Sequence, residues 1–228
     1  EVGPGPGLLT NAILEKKIKK VLAIETDKTF LPILEELKEK HPKKFEFIIN
    51  DALKVDLDKL ISENYSVISN LPYNISVPFI ISLLIKEQPV KWEKLTLTVQ
   101  KEVADRMMAK INTKQYGRLS VLTQWRCRIK KICEIKPSCF IPPPKVISTV
   151  ISIEPKKNIL TPSVENFQKI VSHAFGFRRK TLKKSLSKLD IDINKLADFC
   201  EIDLSLRAQN LSVDDYINLT IGYEKILK

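Results

Sequence analysis

Short, almost uninterrupted apolar runs alternate with amphipathic stretches through the first half of the chain. Runs at 21–24, 45–49, 67–69 and 95–99 read as strands, and the stretches 30–37, 75–85 and 103–111 read as helices. Strands covered on both faces lose the apolar/polar alternation of a half-exposed sheet, so this rhythm predicts β-α units around a parallel sheet and an α/β class. After Arg118 the pattern changes to a helix through Trp125, a strand at 129–135, the proline run 142–144 and an alternating strand at 146–153. Two late strands without a long helix between them predict an antiparallel pair finishing the sheet. From Pro162 onward only helical patterns remain, at 164–175, 180–189, 193–200 and 213–227. The stretch 154–162, with two prolines and two lysines, predicts a linker between a larger domain, 1–155, and a small all-helical one, 156–228.

Composition narrows the class. With 228 residues, 43% of them hydrophobic, the chain can bury a core. No apolar run approaches the roughly 20 residues a bilayer-spanning helix needs, and nothing at the start resembles a signal peptide, so the expected location is the cytoplasm and no membrane contact is expected. Cys127, Cys133 and Cys139 are too widely spaced for a zinc site, and with Cys200 they read as reduced thiols, so no metal is expected.

The net charge of +11 is unevenly distributed. Residues 1–60 balance 11 basic against 11 acidic side chains, whereas 101–136 carry 10 basic and 3 acidic and 156–228 carry 13 and 9. A neutral part beside a basic part predicts a catalytic body and a polyanion-binding face.

In an open parallel sheet a ligand lies outside the carboxyl ends of the strands, so the polar residues that close the apolar runs are the candidates. Glu1 opens E-V-G-P-G-P-G, Glu25 ends V-L-A-I-E, Asp51 ends F-E-F-I-I-N-D and Asn70 ends Y-S-V-I-S-N. Gly3, Gly5 and Gly7 allow a sharp turn and a close approach of backbone to ligand. Leu8 stands where a dinucleotide fingerprint would need its third glycine, so the loop reads as G-x-G-x-G and disfavours a nicotinamide cofactor. It resembles the first motif of class I methyltransferases, whose Rossmann-like fold binds S-adenosylmethionine. That resemblance implies that the loop wraps the amino-acid part of the cofactor and that Glu25 accepts both ribose hydroxyls. It also implies that Asp51 holds the adenine amino group, with Ala52 as a backbone donor.

The sequence Asn70-Leu71-Pro72-Tyr73 follows the fourth run directly and matches the motif of methyltransferases acting on exocyclic amino groups of nucleobases. Such a nitrogen is a poor nucleophile because its lone pair is delocalised into the ring. The Asn70 oxygen and the Leu71 carbonyl can accept the two amino hydrogens and favour the pyramidal form. Pro72 stiffens the backbone that presents them, and Tyr73 offers a face for an extruded base.

The segments E-V-G-P-G-P-G-L-L-T, N-L-P-Y-N-I-S, Q-K-E-V-A-D-R, Y-G-R-L-S-V, F-I-P-P-P-K-V, F-R-R-K-T-L and R-A-Q-N-L-S, in this order, resemble the kasugamycin-resistance family of small-subunit rRNA adenine dimethyltransferases along nearly the whole chain. The resemblance implies methylation of adenine N6 during ribosome maturation, by a monomer whose partner is small-subunit rRNA. It implies that Phe140 covers the target base opposite Tyr73. It also implies RNA contacts by Arg106, Lys110, Lys114 and Arg118 beside the site, and by Arg178, Arg179, Lys180, Lys183 and Lys184 at the start of a helix. Family members carry a further segment with a Q-x-F-L motif ahead of the glycine loop, so this chain reads as N-terminally truncated, with that leader absent. Three alternatives stay open: a non-catalytic RNA-binding assembly or transcription factor on the same fold, a large-subunit rRNA dimethylase, and a DNA adenine methylase.

Overall fold

The computed structural model describes residues 1–86, 89–156 and 162–227. The chain runs α1 (Leu8–Leu14), β1 (Val21–Glu25), α2 (Leu31–Lys40), β2 (Phe45–Ile49), α3 (Leu57–Leu60), β3 (Tyr65–Ser69), α4 (Tyr73–Leu84), β4 (Trp92–Gln100), α5 (Lys101–Met107), α6 (Arg118–Arg126), β5 (Cys127–Ile135), β6 (Ser148–Pro155), α7 (Val164–Gly176), α8 (Leu182–Ser185), α9 (Ile193–Cys200) and α10 (Val213–Ile226). It is a mixed α/β fold in which β1 pairs parallel with β2, β3 parallel with β4, and β6 antiparallel with β4.

Two compact units divide the chain. One contains Glu1–Leu83, β4 and Lys131–Glu154; the other contains Glu102–Lys130 and the chain from Pro155 onward. The sequence-based division at 155/156 therefore differs from the units, because 102–130 packs with the C-terminal helices. Residues 157–161 of the expected linker lie outside the described residues.

In the first unit the hydrogen bonds form two sheets, β1-β2 and β3-β4-β6, the latter continued by residues 131–135 of β5. The register pairs Glu25 with Ile49, so β1 and β2 end level. Between the two sheets runs the segment Glu1-Val2-Gly3. Val2 bridges Ile24 in parallel, the Ile24 N–H donates to the Glu1 carbonyl at 2.9 Å, and the Ser69 hydroxyl donates to the Val2 carbonyl. Leu14, Val21, Ala23, Leu34, Leu37 and Phe45 form a buried core that fixes α1 and α2 against β1 and β2. Gly7, at φ 74°, begins α1 in the left-handed region, and a β-carbon there would lie 2.7 Å from Leu37 Cδ1. Only glycine fits that position.

The second unit is helical. Trp125 of α6 stacks on Phe167 of α7 with centroids 3.8 Å apart, and α9 and α10 are capped by Asp192 and by the Ser212/Asp215 box. The Tyr116 hydroxyl donates to the Leu211 carbonyl at 3.0 Å and the Tyr216 hydroxyl to the Ala208 carbonyl at 2.7 Å. The segments Y-G-R-L-S-V and R-A-Q-N-L-S thus meet inside one unit and hold each other.

Three boundaries correct the sequence reading. The helix predicted over 103–111 stops at Met107, where side chains of α6 take the carbonyls its next turn would use: the Ser120 hydroxyl donates to the Arg106 carbonyl at 2.5 Å, and the Gln124 amide to the Met107 and Ala109 carbonyls at 2.9 Å each. The last strand begins at Ser148 instead of 146, leaving Val146 and Ile147 partly exposed. The helix predicted over 180–189 shrinks to Leu182–Ser185. Its first amides are taken by a neighbouring loop, Leu182 N–H donating to the Leu206 carbonyl at 2.7 Å and Lys183 N–H to the Leu204 carbonyl at 3.0 Å.

Candidate active site and nucleic-acid interface

The glycine loop turns on three left-handed residues, Gly3, Gly5 and Gly7, with φ of 67°, 52° and 74°. An L side chain at any of them would be strained. Two of them are tied to the end of β1. The Gly3 N–H donates to the Ile24 carbonyl at 2.8 Å, and the Gly5 N–H donates to Glu25 Oε2 at 3.1 Å.

Glu25 is almost fully buried, and its carboxylate ends β1 in a nest of amides. Oε1 accepts from the N–H groups of Thr26 at 2.7 Å and Asp27 at 2.9 Å, while Oε2 takes Gly5. The Thr26 hydroxyl also donates to Oε1, at 3.5 Å, whereas Oε2 takes only Gly5 and so keeps an acceptor position, enough for one ribose hydroxyl and not for the two that the resemblance implies. Glu1 sits close enough for the two negative charges to interact. Burial pushes the Glu1 carboxyl above the usual carboxylate range, and the Thr10 hydroxyl, donating to Glu1 Oε2 at 2.6 Å, partly offsets this.

Asp51 lies two residues past β2 and beside Glu25 through the backbone, since the intervening Asn50 N–H donates to the Glu25 carbonyl at 2.8 Å. Asp51 Oδ1 accepts from the Leu53 N–H at 2.9 Å and shapes the turn in which Ala52 is buried. Asn70 directly follows β3 and is exposed, Leu71 is buried, and Pro72 lies against the glycine loop: a β-carbon on Gly3 would be 3.6 Å from Pro72 Cδ. The loop and the tetrapeptide thus pack on each other. Tyr73, half-buried, starts α4, and its hydroxyl lies 2.6 Å from the hydroxyl of fully buried Ser148. Phe140 is half-buried on the connection from β5 to β6.

A chain of direct contacts therefore links Glu1, the glycine loop, Glu25, Asn50 and Pro72 at the carboxyl ends of β1, β2 and β3. The cleft of about 660 Å³ in this unit lies elsewhere. It opens between β1 and β3 against Leu22, Phe47, Tyr65 and Val67; Glu1 lines its wall, but Glu25, Asp51 and Asn70 do not. Sequence reasoning missed Thr10 and Ser148. Both hydroxyls lie inside the family-like segments or just past them, yet nothing in the spacing says which side chain each one touches.

In the second unit Arg106, Lys110, Lys114 and Arg118 are exposed, as are Arg178, Arg179, Lys180, Lys183 and Lys184. The Arg178 guanidinium donates to the Lys114 carbonyl, which brings the two basic groups of the sequence together. The second group does not open a helix as the sequence pattern predicts. Arg178, Arg179 and Lys180 occupy a turn closed by the Lys180 N–H on the Phe177 carbonyl at 2.9 Å, ahead of α8. Arg179 and Lys183 therefore do not share one helical face. Among the described residues no cluster of His, Cys, Asp or Glu is arranged to hold a metal, and no helix is long and apolar enough to cross a membrane.

Comparison with known proteins places this geometry. The profile described as "Ribosomal RNA adenine dimethylase" matches residues 1–225. The protein called Ribosomal RNA small subunit methyltransferase A from Rhizobium etli is 44% identical over 218 residues, covering 95% of this chain and 78% of the relative. The protein of the same name from Xanthobacter autotrophicus is 40% identical over 228 residues, covering 99% and 79%. Among solved structures, a dimethyladenosine transferase from Plasmodium falciparum superposes with a TM-score of 0.83 at 24% identity, covering 98% of this chain and 88% of its own. The 23S rRNA methyltransferase ErmE superposes with 0.68 at 22%, covering 100% and 89%. At such identities the two structures show a shared fold.

Proposed function

Because the chain belongs to the ribosomal RNA adenine dimethylase family, we propose that it transfers methyl groups from S-adenosylmethionine to the exocyclic N6 of adenines in small-subunit ribosomal RNA, dimethylating two adjacent adenines during ribosome maturation. The observation that carries this reading is the packing of Pro72 on Gly3. It sets a tetrapeptide suited to an amino nitrogen against a loop suited to a sulfonium cofactor.

The residues at the strand ends fit that cofactor. Three left-handed glycines expose backbone for a close approach, a buried carboxylate with one acceptor position left suits a ribose hydroxyl, and Asp51 closes the adjacent strand. When bound, S-adenosylmethionine supplies an electrophilic methyl group on a positively charged sulfur. Glu25 receives the ribose, Asp51 and Ala52 the adenine ring of the cofactor, and Glu1, Gly3, Gly5 and Gly7 its amino-acid end. Asn70 Oδ1 and the Leu71 carbonyl accept the two hydrogens of the target amino group and turn its lone pair outward. Tyr73 and Phe140 hold the extruded base between them. Most of the acceleration comes from orientation, with the proton lost to solvent after transfer.

The exposed basic residues of the second unit, joined through Arg178 and Lys114, hold RNA phosphate and set register instead of reading bases. The enzyme acts as a monomer in the cytoplasm. Incubation with unmodified small ribosomal subunits, with large subunits and DNA in parallel, followed by mapping of the modified bases, tests the reading. N6-methylated adenines in small-subunit rRNA are expected. Modification only of large-subunit rRNA or DNA, or none with cofactor bound, would overturn it.

A further inference from the structure

Ser148 is the first residue of β6 and has no exposed surface. Its backbone is held from the neighbouring strand, since it pairs with Gln100 of β4, and the Lys101 N–H donates to the Ile147 carbonyl at 2.9 Å. It is therefore a fixed point in the sheet. Tyr73 is not: it is half-buried at the first position of α4, and the torsion that rotates a tyrosine ring is broad. The 2.6 Å contact between their hydroxyls joins the loose ring to the fixed point. The para oxygen lies on the axis about which the ring rotates, so anchoring it stops the ring from swinging sideways; because a phenolic O–H lies in the ring plane, the direction of the bond to Ser148 also restricts rotation about that axis.

We propose that Ser148 is a positioning residue for methyl transfer, acting through the Tyr73 hydroxyl to fix the plane on which the target adenine stacks. The inference rests on the reading that Tyr73 is the stacking surface. Tilting the stacked base swings its exocyclic nitrogen away from the line of attack, and misplacement by about 1 Å can cost about 100-fold in rate. The connection that leads into Ser148 carries Phe140, so one strand start anchors one wall of the base site and follows directly from the other.

The test compares Ser148→Ala, Tyr73→Phe, their double mutant, Ser148→Thr and Tyr73→Ala in the full chain. It measures kcat and KM for methylation of unmodified small ribosomal subunits, with thermal unfolding alongside. Ser148→Ala and Tyr73→Phe are each expected to lower kcat about 10- to 100-fold with KM for the subunit unchanged. The double mutant should be no slower than either single mutant, and Ser148→Thr, which keeps the hydroxyl, should recover most of the rate. Wild-type kcat in Tyr73→Phe, or losses that multiply in the double mutant, would overturn the proposal. Should Ser148→Ala fold poorly, Tyr73→Phe still decides, because it removes the same bond from the other side. Tyr73→Ala separates stacking from positioning. Wild-type kcat there removes the stacking reading itself, whereas a low kcat beside full activity of Ser148→Ala removes only the positioning role.

Discussion

The Gly5 N–H donates to Glu25 Oε2 at 3.1 Å, so the carboxylate proposed to receive the ribose also holds the glycine loop in shape. Two consequences follow from one side chain. Glu25→Ala removes a charged acceptor from three amides as well as from the ribose, so it should lower stability without cofactor and weaken S-adenosylmethionine binding, each by about 1.5 to 3 kcal/mol. Calorimetric titration measures the second effect and thermal unfolding the first. Unchanged affinity would reject the ribose role, and unchanged stability would reject the loop anchor.

Asn70 carries an exposed amide beside a proline packed on the loop. Because its oxygen is proposed to act on the reacting amino group, Asn70→Ala should lose methyl transfer while keeping cofactor and subunit binding. Single-turnover transfer of a labelled methyl group, paired with a binding titration, makes the comparison. Wild-type turnover in this mutant would remove the proposed mechanism.

Much of this was legible in the sequence because it rests on local rules. Buried parallel strands read as apolar runs, and the observed β2 coincides with the run 45–49. The left-handed glycines and the strand-end acids followed from the same reasoning. What was not legible depends on which distant groups compete for the same amides. The basic run after Phe177 has helical spacing, yet loop carbonyls at Leu204 and Leu206 take the amides that would start the helix further upstream. Likewise only a shared excess of basic residues marks the chain from Glu102 to Lys130 as belonging with the C-terminal helices; the contact that joins them, Tyr116 on the Leu211 carbonyl, spans 95 residues and leaves no local sign. The hydroxyl pair of Tyr73 and Ser148 is of the same kind.

Tyr116 provides a pH test of the second unit. Burial, with a smaller contribution from the negative charge of Asp215, pushes its hydroxyl from the ordinary value of 10 up to about 12. The folded form therefore holds this proton more tightly than the unfolded chain. The resulting stabilisation is complete below pH 10 and lost as pH rises through 12. Tyr116→Phe should lower stability at neutral pH by about 1 kcal/mol, because the Leu211 carbonyl loses its donor, and should make the alkaline decline shallower. Denaturant unfolding at pH 7 and at several points above pH 10 measures both. An unchanged alkaline slope would show that Tyr116 does not titrate on unfolding.

The basic turn yields a prediction that the structure reshapes. Arg178 is engaged with the Lys114 carbonyl, while Arg179, Lys180, Lys183 and Lys184 are exposed around the turn and α8. Without a long helix these cations do not form a stripe along one face, but their closeness in the chain still suits them to one stretch of phosphate. Replacing Arg179, Lys180 and Lys183 with alanine should weaken subunit binding and flatten its salt dependence, by roughly 0.7 to 0.9 log units per decade of salt for each phosphate no longer neutralised. Cofactor affinity should stay as it was, because the strand-end residues proposed to hold the cofactor belong to the other unit. Replacing Arg178 should do more than remove one charge, since it also frees the loop at Lys114; binding should fall further than a single phosphate interaction allows. Binding titrations across a range of salt concentrations read these quantities. If the triple mutant keeps the original affinity and slope, these charges are solvated surface, and the RNA is held instead by Arg106, Lys110 and Arg118.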